Sequence, residues 1–81
     1  SAPIIEDSIH VKTVFRQAMR IVEHEMDQAS ILIIRRTMEG VPQSQMAKEL
    51  HLSQSKVSKI LSAASRELRM RLEEQGVVGL D

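Results

Sequence analysis

Apolar residues recur along this chain at steps of three and four, the spacing that gathers side chains on one face of an α-helix. The first run, Val11, Val14, Phe15, Ala18, Met19, Val22 and Met26, predicts a long amphipathic helix over about residues 9–26. Pro3 and the Glu6-Asp7-Ser8 cluster mark its entry, with Asp7 or Ser8 as N-cap. Asp27 is placed to cap a second helix that runs through Ile31, Leu32, Ile33 and Ile34, carries Arg35 and Arg36 near its end, and stops at Gly40. Four consecutive apolar residues on a helix demand burial on more than one side. The second helix should therefore sit at the centre of the core.

A third, short helix starts after Pro42, whose missing N–H leaves no helical bond unmade there, and ends near Leu50. The fourth keeps an apolar stripe through Val57, Ile60, Leu61, Ala64, Leu68 and Leu72 until Gly76. Between them the segment 43–61 has the spacing of a helix-turn-helix. Two short helices crossing steeply need a small residue where their backbones approach, which Ala47 supplies. Met46, Leu50 and Leu52 line one side, and Val57, Ile60 and Leu61 the other. Ser53 is positioned to accept from the backbone N–H of Ser55 or Lys56, so the last helix should begin at about Gln54. His51 takes the turn position often held by Gly, which calls for a positive φ at a non-Gly residue. The tail from Val77 to Leu80 is too short for a structure of its own and is expected to pack back or lead into a further segment.

Composition supports an all-α class: one small four-helix domain spanning residues 1–81, with a long C-terminal recognition helix. Hydrophobic residues make up 42% and aromatics 1%, so the core must be aliphatic, with the five Met residues as gap-fillers. There is no Cys for a disulfide or thiolate metal site, and no run approaches the roughly 20 apolar residues of a membrane span. A cytoplasmic protein without membrane contact is expected. The chain opens with Ser1 and not Met, as a processed or excised piece of a longer protein would.

The formal charge is zero, yet it is unevenly distributed. From Arg35 to Arg71 there are eight Lys and Arg against three Glu, while the two flanking segments are net acidic. The positive excess lies on the motif, and the outward set Gln54, Ser55, Lys56, Ser58 and Lys59 is polar and basic. In a helix-turn-helix that face enters the DNA major groove. Gln54 can read adenine in bidentate fashion, Lys56 and Lys59 suit guanine or phosphate, and Arg35, Arg36, Lys48 and Arg66 suit the DNA backbone.

These residues carry a family resemblance. Gly40, Met46-Ala47, Leu50-His51-Leu52-Ser53, Val57, Ile60, Ala64, Arg66, Leu68 and Arg69 resemble region four of bacterial sigma factors, and more loosely the helix-turn-helix of LuxR-type regulators. The similarity covers about residues 27–72, and the trailing Ala-x-Arg-x-Leu-Arg is its more sigma-like part. It implies a transcriptional function, with double-stranded DNA and RNA polymerase as partners. Carried over by position, Gln54, Ser55, Ser58 and Lys59 would face bases, and Lys56 and Arg66 phosphates. The groove-facing residues depart from the Arg- and Glu-rich set of principal sigma factors, so no target sequence is inherited. The segment 53–59 with a later Glu-Gln-Gly-Val-Val also resembles the N-terminal domain of SorC-type repressors, although there the glycine follows the motif sooner.

Other chemistry finds little footing. His10, His24 and His51 form no His-x-x-x-His pair, so neither a metal nor another cofactor is expected. The Glu pairs lack acid/base spacing, the serines have no activating His and Asp, and no Gly-rich phosphate loop occurs, so an enzyme is not expected. Two functions stay open: sequence-specific duplex DNA binding in transcriptional control, and a helical protein-interaction or dimerisation module. A homodimer through the first or last helix would set two recognition helices roughly 34 Å apart.

Overall fold

The computed structural model describes the backbone over residues 2–77 and side chains from residue 9 onward. It contains four helices, α1 (Ala2–Glu25), α2 (Gln28–Met38), α3 (Gln43–Leu50) and α4 (Gln54–Glu74), and no strand among the described residues. The all-α, four-helix expectation holds, and the boundaries of α2, α3 and the start of α4 fall where their caps put them.

Asp27 is extended (φ −75°, ψ 165°), and its Oδ1 accepts from the Ser30 N–H at 2.8 Å. The hydrogen bonds from the Ser30 backbone and then its side chain hold the Asp27 carboxyl below the ordinary carboxylate range. Three helices end in the same way. Val41 N–H bonds Arg36 C=O (3.0 Å), Leu52 N–H bonds Ala47 C=O (2.9 Å) and Val77 N–H bonds Leu72 C=O (2.9 Å). In each case the preceding residue is left-handed: Gly40 at φ 84°, His51 at φ 56° and Gly76 at φ 86°. This is the Schellman closure, whose apolar residue beyond the turn packs back on the helix. Val41, Leu52 and Val77 are all half-buried against the core. Val77 thus packs back as one of the two expected fates of the tail, while residues 78–80 lie outside the described residues.

α2 divides the interior. Ile33, fully buried, joins Met46 and Ala47 of α3 and Val57 of α4. Its neighbour Ile34 joins Ile21, Val22 and Met26 with Ala64 and Leu72. Successive helical residues point about 100° apart, so these two can both be buried only if α2 has neighbours on two sides. Leu61 touches both clusters and joins them. The expected central position of α2 is met through Ile33 and Ile34, whereas Leu32 is 41% exposed because its face has no helix opposite.

Three other expectations are corrected. α1 spans Ala2–Glu25, so Asp7 and Ser8 lie within the helix and not at its N-cap position. Pro3 falls in its first turn, where an absent N–H breaks no helical bond. The apolar stripe of α1 is buried only toward its C-terminal end: Val22 is covered, but Val11 is 62% and Phe15 54% exposed, since α1 runs past the helices it packs on. Ile21, fully buried, lies beside the expected stripe and was not part of it. Met26 and Met46 are core residues as expected of gap-fillers, while Met38 and Met70 lie more than half exposed on outward faces.

Polar clamps finish the α1–α4 contact. Arg71 donates from Nε to Glu67 (2.9 Å) and from Nη1 to Glu25 (3.2 Å), and these acids, Glu67 first, raise its pKa further above the ordinary range. Gln75 Nε2 donates to the Glu25 carboxylate, and Gln17 Nε2 donates to Gln75 Oε1 at 2.6 Å.

Two measurements check the caps. His51→Gly removes a side chain from a left-handed residue and should stabilise the fold by about 1 kcal/mol in urea denaturation; a loss of stability would show that His51 is held by something other than its backbone role. Asp27, its pKa lowered on folding, stabilises fully above its ordinary value of 3.8, and this contribution is lost as pH falls through its lower folded value. The stability difference between the native chain and Asp27→Ala should therefore shrink below about pH 3.8 and be constant above it.

Candidate nucleic-acid interface

α3, the turn at His51, Leu52 and Ser53, and α4 form one unit around the Ile33 cluster. Ser53 opens α4 from an extended conformation (φ −73°, ψ 155°), and its Oγ accepts from the Lys56 N–H at 3.0 Å. Of the two acceptor pairings the sequence allowed, the one to Lys56 forms. Val57, fully buried one residue later, pins the first turn to α2 and α3. With that side chain inward, Gln54, Ser55, Lys56 and Lys59 are left exposed, and Ser58 is half-buried. Four of the five outward residues thus have open side chains, and Ser58 offers only part of its hydroxyl face.

From Gln54 to Arg66 the helix carries Lys56, Lys59 and Arg66 and no acid. The positive end of the helix dipole reinforces this field at its first turn. Ser55, Lys59, Ser62 and Arg66 follow at spacings of four, three and four, so they form one exposed line along α4. Ser62 was not singled out in the sequence. The same spacing from Ser55 and Lys59 would have found it, but it lies beyond the segment 43–61 on which the motif was read.

The cations assigned to the DNA backbone divide into two kinds. Lys48, Lys56 and Arg66 are exposed and make no ion pair among the described residues. Arg35 is paired with Glu23 at 3.2 Å, tying α2 to α1. Arg36 donates from Nη2 to Glu49 at 2.7 Å, and its Nη1 lies 3.7 Å from Glu39. Glu49 also accepts from Gln45 at 3.3 Å. Arg36 therefore links α2 to α3 and neutralises the acid nearest Lys48 in sequence, a pairing that sequence separation hides.

The start of α3 offers a further anion-binding feature. Pro42 supplies no side-chain cap, and the first N–H groups to bond its carbonyl are those of Gln45 and Met46. The N–H groups of Gln43 and Ser44 lack intrahelical acceptors, as at any helix start, and suit a phosphate oxygen. Among the described residues no group of three or more His, Cys, Asp or Glu could hold a metal ion, and no helix is long and apolar enough to cross a membrane.

No protein-family model matches this chain, and no curated protein or solved structure matches it.

The Arg36–Glu49 pair is open to a direct check. A double-mutant cycle of Arg36→Ala and Glu49→Ala should give a coupling of about 0.2–1 kcal/mol, the size of a partly exposed pair. Zero coupling would return Arg36 to the set of free cations.

Proposed function

We propose that this chain binds duplex DNA in a sequence-specific way, with the first turns of α4 in the major groove, as part of transcriptional control. It acts as a binding module and not as an enzyme, and it works in the cytoplasm. The observation that carries this reading is the outward face of α4 from Gln54 to Arg66, which holds no acid and whose first turn is fixed by Ser53 and Val57. Gln54, Ser55, Lys59 and, in part, Ser58 read bases, while Lys48, Lys56 and Arg66 meet phosphates. Arg35 and Arg36 contribute to the backbone only by exchanging their Glu partners for phosphate, so they rank behind the unpaired cations. The resemblance to sigma region four adds RNA polymerase as a partner. A homodimer would pair through α1 or α4, each of which exposes apolar side chains, Val11 and Phe15 on α1 and Met70 on α4.

The second reading, a helical interaction module that does not bind DNA, is favoured by one observation. Val11 and Phe15 leave an apolar face on α1 that the described residues do not cover.

Salt-titrated binding to random and selected duplexes separates the two. With Lys48, Lys56 and Arg66 on phosphates, log affinity should fall against log salt with a slope of roughly −2.7. Lys56→Ala should make that slope shallower by about 1, and Gln54→Ala and Lys59→Ala should each reduce discrimination between selected and random duplexes. Binding that is undetectable at low salt, or indifferent to both Lys substitutions, would reject the DNA reading.

A further inference from the structure

The exposed line on α4 does not stop at Arg66. Ser55, Lys59, Ser62 and Arg66 are followed, at the same steps of three and four, by Arg69 and then Glu73, all exposed. Arg69 makes no ion pair among the described residues, so its guanidinium is as open as that of Arg66. Glu67, the acid within this stretch, is half-buried and held by Arg71 at 2.9 Å. The sign along the line therefore changes once, between Arg69 and Glu73, and Glu74 is exposed beside it. The remaining cations that pair with no described acid, Lys12, Arg16 and Arg20, form a separate row on α1.

The length of this line limits how α4 can meet a duplex. At a rise of about 1.5 Å per residue, Lys56 and Arg66 stand about 15 Å apart along the helix axis, and Lys56 and Arg69 about 20 Å. The major groove is about 12 Å wide and about 8.5 Å deep. A helix inserted end-on would carry Arg66 and Arg69 clear of the groove and leave them no phosphate. A helix laid along the groove would hold Glu73 and Glu74 between the two backbones, where like charge opposes them. A helix that crosses the groove on its side has neither fault. Its two cationic ends rest on opposite lips, and Glu73, about 6 Å beyond Arg69 along the axis, falls outside the duplex.

Resting on the DNA reading of α4, we infer that Arg69 is a further phosphate-binding residue and that α4 lies across the major groove, with Lys56 on the backbone of one strand and Arg69 on that of the other. Ser62 and Arg66 lead from the base-reading turns toward the second strand, and Arg69 ends the contact. Glu73 marks the limit of the footprint, because its charge keeps the last turns of α4 off the DNA. One helix thus grips both backbones, which fixes its angle in the groove independently of the bases read.

The test measures binding by fluorescence anisotropy to a selected duplex, to random duplex, and to two selected duplexes that each carry uncharged methylphosphonates in place of the phosphates of one strand. With Arg69 as a fourth contact, the slope of roughly −2.7 set by Lys48, Lys56 and Arg66 should steepen to roughly −3.6, and Arg69→Ala should return it to roughly −2.7. Selected and random duplexes should weaken alike. Neutralising one strand should remove the effect of Lys56→Ala, and neutralising the other that of Arg69→Ala. Glu73→Gln should leave affinity and slope unchanged. Arg69 is exposed, so the fold should be retained; a urea midpoint checks this, and Arg69→Lys, which keeps the charge, should keep the parent slope. A slope unaltered by Arg69→Ala, silencing of both substitutions by the same strand, or tighter binding by Glu73→Gln overturns the inference. A parent chain that binds no duplex at low salt overturns the DNA reading and this inference with it, whereas a parent that binds while Arg69→Ala changes nothing overturns this inference alone.

Discussion

Adjacent burial of Ile33 and Ile34 is the constraint on which the arrangement depends. Two neighbours on a helix point about 100° apart, so covering both requires helices on two sides of α2. α3 and the start of α4 supply one side, and α1 with the rest of α4 supplies the other. α4 must then be long enough to serve both clusters, and Leu61 is where it passes from one to the other. Emptying the Ile33 site would do more than leave a cavity, because it would release Val57, which orients the first turn of α4.

Function and stability use opposite sides of the same turn. Ser53 fixes where α4 starts, Val57 fixes its rotation, and the polar residues between and after them are left outward. The zero net charge conceals a division of labour among the cations. Arg35, Arg36 and Arg71 join helices through Glu23, Glu49 and Glu25, while Lys48, Lys56, Lys59 and Arg66 make no ion pair among the described residues. Exposed pairs contribute little to stability. Their larger effect is to decide which positive charges remain open to a polyanion, and those are grouped on α3 and α4, apart from the row on α1.

Much of the fold was legible because its signals are local. Asp27, Gly40, Ser53 and Gly76 mark helix ends through bonds within six residues, and even the strained His51 could be placed from its position in the turn. What the sequence left hidden depends on where neighbours stop. The stripe through Val11 and Phe15 has the period of a buried face, and periodicity carries no information on whether a partner helix reaches that far. Leu32 looked like Ile33 and Ile34 for the same reason. In the candidate interface, Gln54, Ser55, Lys56 and Lys59 were legible from the phase set by Val57. The capture of Arg36 by Glu49 was not, since it joins residues thirteen apart through tertiary geometry.

The most direct measurement is a residue-by-residue amide chemical-shift map of the protein titrated with a selected duplex. Perturbations should concentrate at Gln43, Ser44 and Lys48 and from Ser53 to Arg66, with residues 9–20 of α1 unchanged. Perturbations centred on α1 with α4 silent, or no perturbation at low salt, would contradict the DNA reading.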